Sequence, residues 1–200
     1  IDSRNEDFET ALEHLEASLD TNRQNNKAHI LKAIVNRHQN KKDEARQILD
    51  DLLKVDPLDQ WARFEKGMLT DDFESFLKSS RNDAQTVIDI AFDYAEAGFY
   101  EEAIQLIDLH HQSEIEESAV PNQMKKSAMT HFILAWLYSK TNKNEKSSTI
   151  LKSAAGLNSD YLFPSRVQEQ IVLEWAVRQK VDSSLAAYGL GNYYYDKKRH

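Results

Sequence analysis

The stretch Ile88–Leu109, IDIAFDYAEAGFYEEAIQLIDL, decides the fold. Ile90 and Ala91 are followed by Tyr94, Gly98 breaks the pattern, and Ala103 and Ile107 resume it one helical turn apart. Apolar residues recurring at three and four, not at two, predict an amphipathic helix on each side of a glycine turn. A small residue at 91 lets the two helices approach closely, and the aromatic one turn later fills the remaining gap. Ala103, at the start of the second helix, accepts that aromatic.

The same arrangement recurs along the chain. In Phe132–Leu157, Leu134-Ala135 and Tyr138 precede a polar turn at Asn142, then Leu151 and Ala154. Leu190-Gly191 and Tyr194 give it again. FETALEHLEASL and KDEARQILDDLLKVDP each carry an acidic residue, a spacer, an Ala and then a Leu four residues on; their Ala11 and Ala45 lie 34 apart, and Pro57 follows Ala45 by twelve. Period, small residues and closing proline resemble the tetratricopeptide repeat, a helix pair that cannot bury its apolar face alone and must stack on neighbours.

The period is uneven. Ala45 to Ala103 spans 58 residues, and LDQWARFEKGML with DDFESFLKSS reads as a pair with a shortened second helix. Ala103 to Ser147 spans 44, and His111–Gln123 takes up the excess as an extended helix end plus a loop. The expectation is an all-α chain: one tetratricopeptide-like superhelix over 1–200 with about five irregular repeats, the last incomplete, and a hinge at 111–123 between 1–110 and 124–200. Eleven helices are expected, near 7–21, 25–38, 42–54, 58–69, 71–79, 83–97, 100–112, 121–140, 144–156, 164–179 and 183–196. Pro164 is placed to open the tenth.

Composition agrees. Five Gly and three Pro in 200 residues leave few helix breaks, and 40% hydrophobic residues suffice for a core. The longest apolar run, His131–Tyr138, is too short to span a bilayer. The first ten residues carry no signal-peptide pattern, and the absence of cysteine excludes disulfides. A soluble chain is expected, in the cytoplasm ahead of the periplasm. Charge is uneven: residues 71–120 hold 2 Lys+Arg against 13 Asp+Glu, residues 121–200 hold 12 against 6. Either this is a solvated acidic face, or it steers a charged partner or a second copy. No dense basic stripe marks a nucleic-acid surface.

Three stretches are more particular: DPLDQWARFE (56–65), YLFPSRVQEQIVLEWA (161–176) and YGLGNYYYDKKR (188–199). Together they resemble the tetratricopeptide tail of a family of large bacterial proteins in which a carbohydrate-binding-like β-sandwich region precedes the helices. Ser165 and Arg23 depart from that pattern. The resemblance implies a piece of a longer polypeptide and a sugar-related role carried by the other part.

Catalytic patterns are missing. His110 and Glu114 share a helix face beside His111, which gives too few convergent ligands for a metal, so no metal or cofactor is expected. Gly189-Leu190-Gly191 lacks the third glycine and the preceding strand of a nucleotide loop, and helix packing accounts for both glycines. A non-catalytic scaffold that binds a protein or peptide in the concave groove is the primary expectation; an accessory helical domain of a carbohydrate-binding or carbohydrate-active protein is the alternative. In this architecture residues just after the small position turn toward the groove, which names Phe92, Trp136, Lys140, Tyr188, Asn192 and Tyr195 as partner-binding candidates. Phe92 and Trp136 serve equally well as core. SLAAYGLGNYYYDKKRH (184–200) reads as the first helix of an incomplete repeat, with an uncovered apolar side that offers a route to a homodimer.

Overall fold

The computed structural model describes residues 8–81, 83–117, 127–159, 162–179, 181 and 183–198, with side chains described outside 114–117. Eleven α-helices and no strand occur among the described residues, in the tetratricopeptide-like arrangement that the sequence spacing predicts. No described helix is long and apolar enough to cross a membrane. Contacts divide the chain into two compact units: Ile1–Thr86 with Glu96–Phe99, and Val87–Ala95 with Tyr100–His200.

The first unit holds α1 (Phe8–Thr21), α2 (Asn26–His38), α3 (Lys42–Val55), α4 (Gln60–Thr70) and α5 (Glu74–Ser80). Each helix packs on the next, and α4 also reaches back to α2. Ala33 and Ala45, twelve residues apart on α2 and α3, are both completely buried. Without bulk at either position the two helices close on Ile34 and Leu49. The turn between them runs through Asn40 at φ 62°, where the Lys41 N–H donates to the Asn36 carbonyl at 2.8 Å. Asparagine is one of the few residues that tolerates this left-handed conformation. Asn25 and Asp59 cap α2 and α4 by accepting from the Ala28 and Ala62 amides. The Arg37 guanidinium on α2 pairs with the fully buried Glu65 carboxylate on α4. The seven-residue α5 is the shortened second helix that the 58-residue spacing requires.

The second unit holds most of α6 (Ala84–Glu96), then α7 (Tyr100–Glu117), α8 (Ala128–Lys140), α9 (Asn144–Ala155), α10 (Val167–Arg178) and α11 (Ser184–Asp196). Helix α8 is its centre: α7, α9 and α10 all pack against it, and ten of its 13 residues are buried. A helix apolar on every side is the signature of such a position. The turns repeat in form. Gly98 before α7 has φ 87°, and Asn142 before α9 has φ 59°, with the Lys143 N–H donating to Tyr138 O at 2.9 Å.

Residues 111–117 extend α7, as expected of an extended helix end, while 118–126, with the remainder of the expected hinge, lie outside the described residues. Two expectations are revised. Helix α10 starts at Val167, not at 164, because the Glu169 carboxylate accepts from the Ser165 and Arg166 amides at 2.7 and 2.9 Å and fixes the first turn there. Helix α11 does not open a new pair in space. It folds back on α10, and as α10 packs on α8 so α11 packs on α9, which makes it the second member of the α10–α11 hairpin.

Candidate functional site

The Leu-small-x-x-Tyr spacing places Trp136 one position past the small residue of α8, on that helix's half-buried edge. The Tyr100 ring, on the first residue of α7, meets it edge-on at 6.3 Å, and the Lys140 ammonium one turn along α8 sits 5.1 Å above its centroid. Lys140 itself is exposed. A partly exposed indole between a second ring and a movable cation can accept an apolar or aromatic side chain when the lysine swings aside.

One turn away the surface is polar and tightly paired. The Tyr138 hydroxyl donates to Asp108 at 3.1 Å, and Lys143 reaches Glu101 at 2.6 Å. Lys143 and Lys146 both lie over the Tyr138 ring, at 5.9 and 5.5 Å. Burial pushes the Tyr138 phenol up to about 12, and the Asp108 charge adds to the shift. Burial also raises the Asp108 carboxyl above its ordinary range, against the hydrogen bond from Tyr138.

The other sequence candidates separate. Phe92, expected on a groove, is only 5% exposed and belongs to the core row of α6 with Ile88, Ala91 and Ala95. The face that carries the small residue is wider on α6 than a strict one-in-seven pattern implies, so its neighbour is buried too. Asn192 is half-buried and structural: its amide donates to the Leu162 carbonyl at 3.1 Å and holds the loop before α10. Tyr188 and Tyr195, seven residues apart on α11, are exposed, whereas Tyr193 is buried and Tyr194 donates to Glu174 at 2.8 Å. Trp136 with Lys140 therefore form one location and Tyr188 with Tyr195 another.

Two features escaped the sequence reading. Between α1, α2 and α3 lies a cleft of about 730 Å³, with Leu19, Ile48, Leu52 and Val55 as apolar lining and Arg23 and Lys32 at its edge. Those residues come from three helices and the turn after α1, and no single periodicity collects them. The second is a set of exposed apolar side chains, Phe163 in the loop before α10 and Val167 and Ile171 one turn apart on it.

Stacking and hydrogen bonds hold the rings of His111 and His131. His110 is buried, the His111 ring stacks on His131 at 4.2 Å, and His111 Nε2 lies 2.9 Å from Thr130 Oγ1. Thr130 gives its own proton to the Ser127 carbonyl, so His111 donates to the threonine. The His131 Nδ1–H donates to the same carbonyl at 3.1 Å. No group of three or more His, Cys, Asp or Glu able to hold a metal occurs among the described residues.

No curated protein matches the chain. Among solved structures, a tetratricopeptide repeat protein from Parabacteroides merdae ATCC 43184 is similar over 96% of this chain and 79% of its own, at 14% identity and a TM-score of 0.38. The Tetratricopeptide repeat family model matches residues 4–65, the segment that runs from the start of the chain through α1, α2 and α3 into α4.

Proposed function

We propose that the chain is a non-catalytic interaction scaffold that engages a protein or peptide partner through exposed side chains on its repeat helices. The observation that carries this reading is the partly exposed Trp136, held between Tyr100 and Lys140 on a mostly buried helix. Such a rigid aromatic anchor beside a cation fits an extended segment carrying an apolar or aromatic residue next to an acidic one. Tetratricopeptide arrays serve such roles by presenting side chains from successive helices on a stable frame. No described residue favours the sugar-related alternative, which stays with the sequence resemblance.

The test is selection of peptides from a random displayed library, followed by titration of the best binders. Trp136→Ala should weaken their binding by about tenfold or more, with far-UV circular dichroism unchanged. Selected peptides that bind Trp136→Ala and Lys140→Glu as well as the parent would overturn the assignment. Self-association through the exposed tyrosines of α11 is the second part of the reading.

A further inference from the structure

Arg23 stands 34 residues before Pro57, at the point where the second helix pair closes on a proline. The turn that carries it is held without its side chain. The Asn25 N–H donates to the Asn22 carbonyl at 3.1 Å, the Gln24 N–H donates to Asn22 Oδ1 at 3.1 Å, and His29 Nε2 donates to the Arg23 carbonyl at 2.9 Å. Neither the Arg23 guanidinium nor the Gln24 side-chain amide has a hydrogen-bond or ion-pair partner among the described residues. Both are exposed, and both line the cleft between α1, α2 and α3.

That cleft, about 730 Å³, has the size of sites that hold small organic ligands. Leu19, Ile48 and the buried Leu52 give it apolar walls, and Val55, 81% exposed, stands at its rim. The other charged groups of the lining are engaged within the chain. Lys32 pairs with Glu16 at 2.9 Å, and Asp51 accepts from Lys54 and Gln47, each at 2.8 Å. Asp56 accepts from the Asn26 amide at 3.1 Å and from the Leu58 N–H at 3.2 Å.

We infer that the cleft is a binding site for a small aliphatic monocarboxylate. Its hydrocarbon chain lies against Leu19, Ile48, Leu52 and Val55, and its carboxylate meets the Arg23 guanidinium, with the Gln24 amide as a further donor. A planar guanidinium matches a carboxylate with two parallel hydrogen bonds. Burial of the chain, and of the uncovered Val55, supplies the apolar part of the affinity. A single negative charge suits the site better than the double charge of a phosphate monoester, because Asp51 and Asp56 line the same cleft. A peptide suits it less well, since buried backbone amides need partners and Asn26, Lys32, Asp51 and Asp56 are already engaged. The site belongs to the first compact unit, whereas Trp136 lies on α8 of the second, so either can fail without the other.

Amide NMR titration of the chain with octanoate, octanol and acetyl-Leu-Leu tests the assignment. Octanoate should give saturable shifts confined to α1, α2, α3 and the turn after α1, and octanol should bind about tenfold more weakly. Arg23→Gln should weaken octanoate by about tenfold and leave octanol unchanged. Val55→Asp should weaken both ligands by about tenfold. Tyr195→Ala, exposed on the second unit, should leave both as in the parent. Absence of saturable shifts at millimolar octanoate would overturn the inference. So would octanol binding as tightly as octanoate, undiminished octanoate binding by a folded Arg23→Gln variant, or tighter binding of acetyl-Leu-Leu, which would make the cleft a peptide site.

Discussion

The Ser147 hydroxyl on α9 donates a 2.7 Å hydrogen bond to the Ala135 carbonyl on α8, and both residues are buried. They occupy the two facing small positions of the repeat, twelve residues apart, as Ala33 and Ala45 do in α2 and α3. The bond exists because the helices lie close enough for a side chain one carbon long to reach the opposite backbone. Ser147→Ala should cost about 1 kcal/mol or less, since alanine already serves at 45 and 103. Ala135→Leu should cost about 1–3 kcal/mol or more by overpacking. Urea denaturation of the two variants checks the contrast.

The two glycines of α11 should respond in opposite directions. A Cβ on Gly189 would meet Leu162 Cδ2 at 2.9 Å and Leu173 Cδ1 at 3.3 Å, whereas Gly191 faces open space. Gly191→Ala should stabilise by about 0.5–1 kcal/mol, the ordinary helix-propensity gain. Gly189→Ala should lose that gain and more, by about 1–3 kcal/mol of strain against the leucines. Thermal melts at a concentration low enough to keep the chain monomeric separate the two.

This pair also marks how far the sequence could be read. The helices, their order and the small-residue registers at 91, 103, 135 and 147 were legible because they depend on local periodicity. The left-handed turns at Gly98 and Asn142 were legible for the same reason, as each falls on a residue that tolerates positive φ. The role of α11 was not. Leu190-Gly191-x-x-Tyr194 has the local form of a first helix, yet Gly189 is the glycine that packs and α11 is the second helix of its hairpin. The deciding contacts come from Leu162 and Leu173, on a loop and helix that no spacing within α11 encodes. Phe92 could be read as core or groove alike, because its own helix cannot show that a neighbour covers it.

The Tyr138–Asp108 pair gives a pH prediction in two windows. The phenol is raised in the folded chain from 10.0 to about 12, so its stabilising contribution is intact below pH 10 and is lost as pH climbs toward 12. Relative to Tyr138→Phe, the parent should lose stability across that interval. Asp108 is raised from 3.8, so its contribution is present below that value and is lost as pH rises through the folded value. Asp108→Asn should therefore be no less stable than the parent at neutral pH, and lose its advantage in acid. Denaturation at stepped pH values reads both.

The buried pair of Arg37 and Glu65 should be far more sensitive to loss of one partner than of both. Glu65 is fully buried, so Arg37→Ala removes the cation that faces its carboxylate in the core and should cost about 3–5 kcal/mol. Replacing both by apolar residues, as in Arg37→Met with Glu65→Leu, should recover most of that loss. Equal destabilisation by the single and double variants would contradict this account of the pair.

Whether Trp136 is an anchor for a partner is decided most directly by isothermal titration of a library-selected peptide against the parent and Trp136→Ala. The account predicts that the substitution weakens binding by about tenfold or more, at least 1.4 kcal/mol, while the helical spectrum and melting temperature stay those of the parent. Equal affinity in a folded Trp136→Ala variant would contradict it.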